Sequence, residues 1–78
     1  MESIEITGEI IRLGQLLKFA GLVENGGEAK ARIQAGEVMV NGVVETRRGL
    51  QLHHGDLIQL ASRELQLVYT DPALVEKG

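Results

Sequence analysis

Apolar and polar residues alternate at the start of the chain, Ile4 and Ile6 against Glu5 and Thr7, which is the two-residue period of a half-buried strand. Gly8 interrupts it, so the spacing predicts a short first strand. The period then changes: Leu13, Leu16, Leu17 and Ala20 recur at i, i+3, i+4 and i+7 and form one helical stripe. This predicts a helix from about Gln15 to Ala20, with Gly14 as its N-cap, Gly21 as its C-terminal stop and Phe19 packed beside it. Asn25 and Glu28 have the spacing of a capping box, in which the Asn side chain accepts from the third helical N–H and the Glu reaches back to the cap. A second helix is expected from near Gly26 to about Ala35, with Ala29 and Ile33 facing inward and Gly36 supplying a left-handed stop.

The segment Val38-Met39-Val40-Asn41-Gly42-Val43-Val44-Glu45 is the strongest local signal, because Asn-Gly takes the positive φ values that a type I′ turn needs between two strands. Asn41 is therefore assigned to the turn rather than to ligand recognition. His54-Gly55-Asp56 turns into a strand at Leu57-Ile58-Gln59-Leu60, and after Ala61-Ser62-Arg63 the alternation of Leu65, Leu67 and Tyr69 predicts a last strand. Residues 71–78 read as a frayed, flexible tail, which leaves residues 1–70 as a single α+β domain.

Composition narrows the class. The 78 residues suffice for one small core, and an apolar fraction of 44% with a single proline is that of a chain that folds. Zero cysteines exclude disulfides and thiolate metal sites, which fits a reducing, cytoplasmic setting. The acidic start is unlike a secretory signal, and no apolar run reaches half of the roughly 20 residues a membrane-spanning helix needs. Net charge is −3, but its distribution is uneven. Between Ile10 and His54 six bases face four acids, a balance of +2, whereas the rest of the chain holds two bases and seven acids, a balance of −5.

The combination of Arg12-Leu13-Gly14-Gln15-Leu16-Leu17, Ala29-Lys30 with Ile33, Gly36-Glu37-Val38-Met39-Val40-Asn41-Gly42 and Gly55-Asp56 resembles the S4 RNA-binding domain, over about Ile10 to Ile58. Gly26-Gly27-Glu28-Ala29-Lys30 and Glu45-Thr46-Arg47-Arg48-Gly49 are similar to the small stand-alone bacterial S4-like proteins of the YbcJ and YaaA type. The resemblance implies the αL motif, two short helices packed on a small, mainly antiparallel sheet, with RNA held along the helix pair. It further implies a role near ribosomal RNA, in ribosome assembly or maturation. Where many S4 domains open the second helix with Ser-Arg or Thr-Arg, this chain has Asn25-Gly26. A guanidinium is thereby absent, and the helix amino terminus, with Gly26 and Gly27, is left as the anion-binding group.

The residues assigned to RNA on this basis are Arg12, Lys18, Asn25, Gly26, Lys30, Arg47 and Arg48. Lysine and arginine neutralise phosphates and release counterions, and arginine engages phosphate bidentately. Arg32 is assigned to helix support instead, since Glu28 stands four residues before it. With Phe19 and Tyr69 as the only aromatics, the RNA expected is a structured one read by shape and phosphate, without a platform of stacked bases.

Other classes are excluded on the residues. Ser3 and Ser62 lack a recognisable base, there is no phosphate-binding Gly-rich loop with Lys, and no carboxylate pair marks a cleft, so no enzyme is expected. His53 and His54 are consecutive and point to opposite faces of an extended segment, unsuited to chelating one metal. No cofactor, small-molecule substrate or membrane partner is expected, and the chain is taken as a monomer. The alternative reading is a protein-interaction module derived from an S4 domain whose RNA face has decayed, consistent with the charge of −3.

Overall fold

In a computed structural model, residues 2–8 and 10–70 are described, and the tail expected at 71–78 lies outside them. The chain runs β1(Glu2–Thr7), α1(Leu13–Phe19), α2(Gly26–Gln34), β2(Val38–Val40), β3(Val43–Val44), β4(Leu57–Leu60) and β5(Arg63–Thr70). The five strands form one mixed sheet in the order β1-β5-β4-β2-β3. Three neighbouring pairs are antiparallel, and β1 joins β5 in parallel, from Glu2 opposite Leu65 to Thr7 opposite Thr70. The mainly antiparallel expectation holds. The parallel edge is a long-range pairing that no local turn signal announces.

Each helix ends by the same device. Gly21 at φ 76° donates to the Lys18 carbonyl while Leu22 donates to Leu17, and Gly36 at φ 78° donates to Ile33 while Glu37 donates to Arg32. These are Schellman closures, and each needs a left-handed residue that glycine adopts without steric cost. Asn41 at φ 54° and Gly42 at φ 82° make the expected two-residue turn between Val40 and Val43. The turn at the start of β4 is tied to it: the Asn41 amide donates to Asp56 Oδ1 at 3.0 Å, and Leu57 N–H donates to Asn41 Oδ1 at 2.9 Å. Asn41 is therefore occupied structurally.

The apolar faces of both helices and of β1, β2, β4 and β5 meet in one core, with Leu13, Leu16 and Leu17 of α1, Ala29 and Ile33 of α2, and Val38, Leu52, Ile58 and Leu67 buried, while both β3 residues are exposed. Removing side chains of this size from water contributes about 1.5–3 kcal/mol each and orders the helix pair against the sheet.

Four expectations are corrected. The first helix starts at Leu13, so Gly14 is its second residue and Arg12 its N-cap. The reason is that a neighbouring loop supplies the capping acceptors, as described below. Ala20 is half-buried at the C-cap, beyond the stripe. Arg63 belongs to β5, opposite Leu60, because Ala61 takes φ 56° and closes a two-residue turn with Ser62. Phe19 does not pack beside the helix but is 64% exposed, since it lies off the stripe that faces the core.

Candidate nucleic-acid interface

The interface is built from the two helix starts. At α1 the first helical N–H groups are met by backbone: Leu13 donates to the Leu50 carbonyl and Gly14 to the Arg48 carbonyl, both at 2.9 Å. The loop is held further by Leu52 N–H donating to Ile11 and by an isolated bridge of Arg12 with Gln51. The Arg12 guanidinium adds a clasp, Nη1 donating to the Gly49 carbonyl at 2.7 Å. Gln15 reaches back, its Oε1 accepting from Arg12 N–H at 3.0 Å. Arginine has five N–H donors, so this clasp leaves others free to face a ligand.

At α2 the cap is a side chain. Asn25 Oδ1 accepts from Glu28 N–H at 2.8 Å, as expected, whereas the Glu28 carboxylate accepts from Glu24 N–H at 2.7 Å, one residue before the cap. Gly26 and Gly27 precede the first intrahelical bond, from Ala29 N–H to Asn25 O. A Cβ on Gly27 would stand 3.3 Å from Asn25 Oδ1 and crowd the cap, while a Cβ on Gly26 would meet nothing within 4 Å. The backbone at Gly26 is thus open to an approaching anion.

Between these starts runs an open groove of about 290 Å3 lined by Arg12, Gly14, Gln15, Lys18, Gly26, Ala29, Arg48 and Gly49. Among the described residues, no carboxylate lines it. Four of the seven residues assigned from sequence thus meet here: Arg12, Lys18, Gly26 and Arg48. Asn25 stands at the margin as the cap, with Oδ1 engaged. Lys30 is exposed one turn along α2 from Gly26, outside the groove lining. Arg47 is turned to Glu45, with Nε 2.9 Å from Oε2 and Nη2 3.2 Å from Oε1. That bidentate contact holds the Glu45 carboxyl below its ordinary range and the Arg47 guanidinium above its own. Arg32 pairs with Glu28 at 3.1 Å and with Glu37 at 3.3 Å, the structural use expected of it.

Gln15, Gly14 and Gly49 also line the groove, although the sequence does not assign them to RNA. Arg12, Gln15 and Phe19 recur at i, i+3 and i+7, so a second, non-core helical face was readable. Gly49 carries no such signal, because only the loop's path brings it to Arg12. His54 Nδ1 accepts from Tyr69 N–H at 2.9 Å, while His53 stands exposed 4.0 Å from Asp56, so the two histidines serve different neighbours.

Comparison with known proteins bears on the fold and the family. The chain is 42% identical over 57 residues to RlbA of Bacillus subtilis, a protein named for ribosome maturation, covering 73% of this chain and 80% of that one. It is 38% identical over 58 residues to YbcJ of Escherichia coli, covering 74% and 83%. The solution structure of YbcJ, described as revealing an αL motif involved in RNA-binding, superposes with a TM-score of 0.66 at 33% identity and 87% coverage of both chains. A tyrosine–tRNA ligase of Burkholderia lata is 34% identical over 67 residues, but those are only 16% of the ligase. The family model described as S4 domain matches residues 4–68, which extends past the helix pair to include most of β1 and most of β5. With two helices on a mixed sheet and small stand-alone relatives matched over most of their length, the chain belongs to the S4 domain family.

Proposed function

We propose that the protein binds structured RNA, ribosomal RNA in particular, and acts in ribosome assembly or maturation as a cytoplasmic monomer without catalysis. The observation that carries this reading is the groove between the helix starts, where Arg12, Lys18 and Arg48 converge with the open backbone of Gly26 and, among the described residues, no carboxylate lines the walls. Cations so placed neutralise adjacent phosphates, and the net charge of −3 is no obstacle when the local field is positive. The name of RlbA supports the ribosomal role, and the αL motif described for YbcJ supports the RNA. Lys30 extends the groove for a longer backbone, while Arg47 contributes once a phosphate competes with Glu45.

The experiment is a titration of ribosomal RNA fragments and an unrelated structured RNA across salt concentration. Three groove cations predict a log–log slope of about −2 to −3, at 0.7–0.9 per phosphate contact. Arg12→Gln with Arg48→Gln should bring the slope to about −1, with only a small drop in thermal midpoint from loss of the Arg12 clasp on Gly49. Preference for the ribosomal fragment supports the finer reading. Absence of binding at low salt would overturn it and turn attention to a protein partner retained after ribonuclease treatment.

A further inference from the structure

Across α1 from the basic groove lies an apolar hollow of about 650 Å3, lined among others by Glu5 and Ile6 of β1, by Ile10 and Ile11, and by Lys18 and Phe19 of α1. Ile10 is 58% exposed and Phe19 64%, so two of the largest apolar side chains outside the core stand in water here. Gln15 and Lys18 line both the hollow and the basic groove, which makes the two parts of one continuous surface. The charges at the hollow are arranged with a direction: Lys18 stands on the side shared with the groove, and Glu5 stands on β1.

We propose that the hollow receives one unpaired base of the same RNA, stacked on the Phe19 ring, while the attached phosphodiester crosses Lys18 and Gln15 into the groove. The inference rests on the RNA reading above and adds what that reading lacks, a contact to a base. The chemistry selects this occupant. An exposed aromatic ring over an apolar floor matches the π-face of any base. Glu5 opposes a phosphate on the β1 side, which keeps the backbone at Lys18, and its oxygens accept from a base N–H donor. A paired stem alone places no base within reach, so the preferred ligand is a stem with a single-nucleotide bulge.

The test uses the full chain and two labelled RNA hairpins that share one stem, fully paired in one and carrying a single bulged adenosine in the other. The wild type should bind the bulged hairpin more tightly. Phe19→Ala should weaken the bulged hairpin by roughly 5- to 150-fold, the range for loss of one base-stacking contact, and leave the paired hairpin unaffected. Phe19→Tyr should restore the preference, because the ring is retained. Thermal midpoints of both variants establish that the fold is intact, as the exposure of Phe19 implies. Equal loss on both hairpins, or no loss on either, would overturn the base site while leaving the groove as the RNA site. Failure of the wild type to bind either hairpin would remove the RNA reading and this inference with it. Self-association of the wild type that Phe19→Ala abolishes would assign the hollow to a second copy of the chain instead.

Discussion

The two helix starts have the same chemistry and opposite uses. Both present unpaired N–H groups and the positive end of a helix dipole. At α1 those groups are occupied by the carbonyls of Leu50 and Arg48, so the start anchors a loop and cannot serve an anion. At α2 a side chain satisfies the third N–H, glycines occupy the first two positions, and the backbone stays accessible. What a helix terminus is free to bind thus depends on which of its N–H groups already have acceptors within the fold. One start holds the arginine-bearing loop in place, and the other faces the groove which that loop helps to enclose.

The largest way to break the contrast is to loosen the anchored start. Leu13 is fully buried at the first position of α1, and Leu13→Ala should lose about 2–5 kcal/mol in a urea titration, a large share of what a domain of this size has. Next comes the cap. Asn25→Ala should lose about 1 kcal/mol, because the Glu28 N–H is left without its acceptor, whereas Arg12→Ala should lose less, since backbone carbonyls still satisfy α1. Equal losses would mean that the Arg12 clasp on Gly49, and not the backbone anchoring, holds the loop. A sharper variant is Gly26→Asp, which has space for a Cβ. An acidic side chain there should stabilise the helix by about 0.3–1 kcal/mol and at the same time weaken RNA binding by repelling phosphate. Two effects of opposite sign are hard to obtain unless the open start faces the ligand.

The smallest effect lies in acid. Glu28, beside the α2 start, is held below its ordinary 4.5 by the Glu24 N–H and then by Arg32. Glu45, in the loop that crosses the α1 start, is held below it by Arg47. A carboxyl whose pKa is lowered in the folded state binds its proton less readily there than in the unfolded chain. Its contribution is therefore complete above 4.5 and is lost as pH falls through the lowered value. The thermal midpoint should stay level down to about pH 5 and decline below it, and Glu28→Gln or Glu45→Gln should make that decline shallower.

Local hydrogen bonding and backbone sterics made much of this protein legible in its sequence. Asn41-Gly42 fixes a turn because few residues tolerate positive φ, Gly21 and Gly36 end helices for the same reason, and Asn25 announces a start by its own acceptor. Of these, Asn41-Gly42 and Gly36, with the spacing of Leu13, Leu16 and Leu17, also carry the family resemblance. The site was only half legible. Arg12, Lys18, Gly26 and Arg48 could be named from sequence, yet their convergence could not, because it requires that Leu13 and Gly14 take their acceptors from Leu50 and Arg48 far along the chain. The same holds for the parallel pairing of β1 with β5, for Glu45 drawing Arg47 aside, and for Phe19 standing in solvent. Each is settled by which unsatisfied group or apolar surface meets which once the chain has closed on itself, and that choice belongs to packing across the whole core rather than to any stretch of residues within it.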